Sequence, residues 1–234
     1  MDNGVESPEI AASMADVLWF FSALYDGPPP QPLWEALRET VWPNLEQAVG
    51  DHRPTAPLPG WDAVRLTVEY DEWLAIPVAG HGALGYPPDG IAEQGGEDSA
   101  SEMAQLADLL TVEWGKASNR SGSAYPVRPD HLTVLLAMWA ILLTMPQNDS
   151  LGGRRVQDWS LAVWKLIRTT LTRLREILPP QTAYATITRM ALGYGLQLAA
   201  WQEVDAAPRA ERGRDHGHTP ARTEFAPPEP GQPG

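Results

Sequence analysis

Hydrophobic and polar positions recur with helical spacing along most of the chain, and one stretch breaks the alternation. Apart from Thr133, every residue from Leu132 to Leu143 is apolar. No stripe is left for water, so other helices must cover this segment on most sides. The pattern predicts a central buried helix. The fifteen-residue stretch from Pro129 to Leu143 that contains it is short of the roughly twenty apolar residues needed to cross a bilayer, and the chain then turns at Pro146-Gln147-Asn148-Asp149. A membrane span is therefore rejected. Asp130 is expected to cap the helix by accepting first-turn N–H groups, with His131 at the positive end of the helix dipole.

Flanking segments carry the amphipathic pattern. Ser7-Pro8-Glu9 reads as a helix start, and Ile10, Met14, Val17, Leu18, Phe21 and Tyr25 follow at intervals of three and four. Asp26-Gly27-Pro28-Pro29-Pro30 stops that helix, because prolines cannot continue the hydrogen-bond ladder. A short pair, Leu33 to Thr40 and Asn44 to Val49, is expected next, broken at Trp42-Pro43. Trp61 to Leu74 predicts a helix with Val64, Val68, Tyr70 or Asp71, and Leu74 along one side. Residues 77–98 hold six glycines and three prolines, which predicts an irregular loop. Ser99-Ala100-Ser101-Glu102 has capping-box spacing before a helix with Met103, Leu106, Leu110 and Trp114 on one face. After the central helix, Val156, Trp159, Val163, Leu166, Ile167, Leu171, Leu174 and Leu178 predict a long amphipathic helix whose outer face carries Lys165, Arg168, Arg173 and Arg175. The last predicted helix runs from Thr182 to about Val204.

These periods define an all-α fold class: a single helical domain over 1–206. From Ala207 onwards, Pro, Gly and charged residues cannot bury enough apolar area to offset the entropy of ordering, so 207–234 is expected to be a disordered tail. The chain has no cysteine, which excludes disulfides, thiolate metal sites and cysteine nucleophiles. Its start is acidic and lacks a basic region followed by an apolar run, so no targeting peptide is expected and the cytoplasm is the default location.

Charge changes the picture further. The formal net charge is −13, and residues 1–110 carry nineteen Asp and Glu against three Lys and Arg, while residues 111–234 carry eleven against fourteen. The acidity belongs to the N-terminal half. Such a field repels nucleic acid and anionic membrane and attracts a cationic partner.

Catalytic constellations are sparse. Glu69 with Glu72, and Asp130 with His131, are the candidate pairs, and nothing downstream completes a site. The glycine-rich loop has neither Walker nor Rossmann spacing, and no lysine or arginine lies between Arg65 and Lys116. His216-Gly217-His218 falls short of the ligand count of an ordinary metal site. The expectation is a non-enzyme without cofactor or metal. Ten tryptophans are present, and Trp34, Trp42, Trp61 and Trp73 are less clearly inward than the rest. With Glu69, Asp71 and Glu72 they suggest a groove for an apolar helix that begins with positive charge.

Val68-Glu69-Tyr70-Asp71-Glu72-Trp73-Leu74, then a Gly/Pro loop containing Leu84-Gly85-Tyr86-Pro87-Pro88, then Asp130-His131-Leu132 opening an apolar helix, together resemble the TorD/DmsD/NarJ family of cytoplasmic chaperones. In that family an E-Y-x-x-L-F-like stretch precedes a proline and tyrosine loop, and an Asp-His pair opens a later helix. Ala75 stands where the stretch usually ends in phenylalanine, and of the family's E-P-x-D-H only Asp130 and His131 carry over. The resemblance extends to about Asp205. It implies an all-helical chaperone, monomeric or homodimeric, that binds the twin-arginine signal peptide and apo form of a molybdopterin oxidoreductase catalytic subunit. Such a chaperone prevents premature export and assists insertion of the molybdenum cofactor. The partner-binding residues expected on this basis are Glu69, Tyr70, Asp71, Glu72, Trp73, Tyr86, Asp130 and His131. A reading from a different class is an all-helical small-ligand or regulatory domain with an apolar central pocket beside Trp139 and Tyr194.

Overall fold

A computed structural model describes residues 8–49, 63–75, 96–110 and 131–215. In chain order the elements are α1 (Pro8–Asp26), α2 (Gln31–Ala36), a π-helical stretch (Leu37–Val41), α3 (Trp42–Val49), α4 (Ala63–Trp73), α5 (Gly96–Leu109), α6 (Leu132–Thr144), β1 (Ser150–Leu151), β2 (Arg154–Arg155), α7 (Val156–Ile177) and α8 (Ala183–Asp215). The fold is all-α, with one two-stranded ribbon among the described residues. The chain divides into two compact units, Met1–Ala199 and Ala200–Gly234. The second is helical to Asp215, so residues 207–215, expected in a disordered tail, continue α8.

The first unit is built on α6. Every residue from Leu132 to Leu143 is buried, as the continuous apolar run requires, and α1 and α7 pack against it. Ser22 of α1 donates to the Thr133 carbonyl at 2.9 Å, tying α1 to the first turn of α6. Trp139 stacks on Trp164 of α7, with ring centroids 5.0 Å apart and planes 21° off parallel. That stack requires a glycine beside it, since a Cβ at Gly195 of α8 would run into the Trp164 ring. Among the described residues, no helix is long and apolar enough to cross a membrane.

Local expectations are altered at four places. The chain stays helical through Trp42-Pro43, because a π turn precedes the proline and the Trp42 amide reaches back five residues to the Leu37 carbonyl. Pro43 then follows directly on the π stretch, so its missing N–H falls where the widened turn has already interrupted the regular α-helical ladder. Helix α5 begins at Gly96, so Ser99 lies within its first turns instead of capping it. The N-cap of α6 is His131, whose Nδ1 accepts from the Thr133 amide at 3.3 Å, and Asp130 lies outside the described residues. The ribbon between α6 and α7 was not anticipated. Its turn, Gly152-Gly153, has φ of +62° and +83°, the left-handed pair that a two-residue hairpin needs. Trp159 donates to the Leu151 carbonyl at 2.9 Å, fastening the ribbon to the start of α7.

Candidate functional site

Helix α4 presents a different face to the protein from the one its apolar residues suggest. Val64 and Val68 are 73% and 59% exposed, whereas Leu66, Glu69 and Leu74 are buried. The inward stripe therefore runs through Leu66, Glu69, Tyr70 and Leu74, still at intervals of three and four. A carboxylate occupies an inward position because it has work to do there.

That work is capping. Glu69 accepts from the Ala183 amide through Oε2 at 3.2 Å and from the Tyr184 amide through Oε1 at 3.0 Å. These are the first two N–H groups of α8, which have no partner within their own helix. Thr182 serves the next one, its Oγ1 accepting from the Ala185 amide at 3.1 Å. Burial pushes the Glu69 carboxyl above the ordinary carboxylate range, and the Tyr184 and Ala183 amides, the Thr182 hydroxyl and the Arg65 charge pull in the opposite direction without cancelling it.

Tyr70, the next residue, serves the opposite end of another helix. Its hydroxyl donates to the Tyr25 carbonyl at 3.1 Å, and the Tyr184 hydroxyl donates to the Leu24 carbonyl at 3.3 Å. Both carbonyls belong to the last turn of α1, where acceptors are also left over. The Tyr25 hydroxyl is 2.9 Å from Thr188 Oγ1, and the Tyr184 ring lies 5.7 Å from that of Tyr70 and 6.4 Å from that of Tyr25. The dipeptide Glu69-Tyr70 thus closes a junction among the end of α1, the middle of α4 and the start of α8. Burial first, then the Asp26 and Asp71 charges, push the Tyr70 phenol up to about 12. Burial raises Tyr25, Tyr184 and Tyr194 further still.

The expected partner-binding residues separate accordingly. Glu69 is interior and engaged, which parts it from Glu72 and from the exposed acids expected beside it. Tyr70 is half-buried at the junction, Asp71 and Glu72 are exposed, and Trp73 and His131 are half-buried. Tyr86, Asp130 and Trp61 lie outside the described residues. Trp34 and Trp42 are buried in the core, so they do not edge an aromatic groove. Trp42 still uses its polar end, donating from Nε1 to Glu46 Oε1 at 2.9 Å. Tyr25, Thr182 and Tyr184 were missed as members of the junction. Tyr25 is read from the sequence only as one of an inward apolar series, although a buried tyrosine hydroxyl demands a partner.

Two hollows flank this framework. One, of about 530 Å³, lies between α5 and α7 and is lined by Glu102, Arg154, Asp158 and Lys165. Arg154 there pairs with Glu102 at 3.4 Å and lies 4.5 Å over the Trp159 ring. The other, of about 750 Å³, opens between α1 and α3 and is mainly apolar. Among the described residues no three metal-ligating side chains come together.

No family model, curated protein or solved structure matches this chain.

Proposed function

We propose that the protein is a cytoplasmic chaperone of the TorD type, holding the twin-arginine signal peptide and apo form of a molybdopterin oxidoreductase catalytic subunit until its cofactor is in place. The observation that carries the reading is the Glu69-Tyr70 stretch on its own short helix, followed later in the chain by a histidine opening a wholly buried central helix. That is the order of elements which the resemblance implies. A second support is the acidity of residues 1–110, with nineteen acids against three bases, which suits a client segment that begins with two arginines and continues apolar. Within the described part of the expected contact set, Glu69 and Tyr70 hold the fold and His131 caps α6, while Asp71 and Glu72 are exposed and Trp73 is half-buried. For the small-ligand alternative, the Trp139 ring packs on Trp164, while Tyr194 lines the mainly apolar hollow between α1 and α3.

The test is a titration of the full chain with fluorescent twin-arginine leader peptides of molybdenum enzymes, beside versions in which both arginines are glutamine. The reading expects micromolar or tighter binding for a leader, weakened about tenfold or more without its arginines. A folded protein that binds no such leader, or binds both versions equally, contradicts it.

A further inference from the structure

The groove between α1 and α3 is walled by Val17 and Phe20 on one side and by Val41, Leu45 and Ala48 on the other, together with Tyr194 of α8. Val41, Leu45 and Ala48 recur at intervals of four and three, and Val17 and Phe20 at three. The α1 wall counted from Ser13 to Phe20 and the opposite wall from Val41 to Ala48 each advance seven residues, about 10 Å at 1.5 Å per residue, enough for two turns of a third helix. The walls are held in place: Tyr194 donates to the Met14 carbonyl at 3.2 Å, and its ring lies 6.2 Å from that of Phe21. Val17, Phe20 and Val41 are half-buried and Ala48 is exposed, so the groove presents apolar surface that the described chain leaves uncovered.

Charge selects the occupant. Residues 8–49 contain Glu9, Asp16, Asp26, Glu35, Glu39 and Glu46 against Arg38 as the sole base, and Asp16 lines the groove itself. This surface repels nucleic acid and anionic lipid and favours an apolar helix with a positive head. We propose that the α1/α3 groove, and not the outer face of α4, receives the apolar run of a cationic, helix-forming segment from another protein, its positive end drawn to Asp16 and the acids around it. The identity of that segment as a twin-arginine leader rests on the function proposed above; the groove and the chemistry it selects do not.

The experiment measures binding to the full chain by fluorescence anisotropy with two probes: a molybdoenzyme twin-arginine leader and a leucine–lysine amphipathic peptide of similar length. Ala48→Arg places bulk and positive charge at an exposed position on the groove, Asp16→Asn removes its lining charge, and Val68→Arg alters the exposed face of α4. Far-UV circular dichroism checks that each variant is folded. Ala48→Arg is expected to weaken both probes about tenfold or more, Asp16→Asn to weaken them by a smaller factor with a shallower salt dependence, and Val68→Arg to leave them unchanged. Wild-type affinity in Ala48→Arg overturns the groove assignment, and loss confined to Val68→Arg moves the leader to α4 while the chaperone reading stands. Binding of the leucine–lysine peptide alone, sensitive to Ala48→Arg, supports the groove and overturns the leader as its occupant. Failure of both probes with folded wild type overturns both.

Discussion

Replacing Glu69 by alanine leaves the Ala183 and Tyr184 amides buried without acceptors, and the expected loss is about 1–3 kcal/mol in urea unfolding. Glutamine keeps one acceptor oxygen and should fall between alanine and wild type. The pH dependence has a definite sign. The folded protein holds the Glu69 proton more tightly than the unfolded chain does, so this group's contribution is complete below its ordinary value of 4.5 and is lost as pH rises through the higher folded value. The stability of wild type relative to Glu69→Gln should therefore decline over that window, and a constant difference would show that the carboxyl is not shifted upward. Glu69 was located in the sequence but its orientation was not legible. An acid among acids reads as solvated, and its partners lie more than a hundred positions away at a helix start. The burial of Leu132–Leu143 was legible because nothing polar competes there.

At the scale of elements, the contact of α7 with α8 depends on Gly195. An alanine there meets the Trp164 ring, whose movement is restricted by its stack with Trp139. Gly195→Ala is expected to cost about 1–3 kcal/mol and lower the melting temperature; an unchanged melting temperature would mean that the two helices separate without penalty. Helices α1 and α7 follow from their periodicity because each buries a conventional apolar stripe, and α6 follows from its unbroken apolar run. Helix α4 does not, since Val64 and Val68 face water while a cap faces inward. The π stretch before Pro43 was hidden for a related reason. Proline announces a break, but a wider turn just ahead of it lets the helix carry on. The ribbon at Gly152-Gly153 had a readable signal, the paired glycines, which the low count of β-branched neighbours obscured.

For the whole molecule, the tyrosines joining α1, α4 and α8 predict the response to alkali. Tyr70 is held near 12, and Tyr25, Tyr184 and Tyr194 higher, so the folded state must keep all four protonated. Their contribution is intact below the ordinary phenol value of 10 and is lost as pH rises beyond it. Phenolate absorbance from these four should appear together with loss of helical signal; smooth titration around 10 in a still-folded protein would contradict the junction. The all-α architecture was legible throughout, whereas the enclosure of Trp34 and Trp42 was not, because helical spacing cannot tell which tryptophans are wholly buried. The claim that unites charge, groove and fold is attraction of a positively headed apolar leader to the acidic N-terminal half. Its most direct test is the affinity of the full chain for such a leader at about 0.05 M and about 0.5 M salt. A steep weakening at the higher salt is predicted, and equal affinity at both concentrations, or none at either, would contradict it.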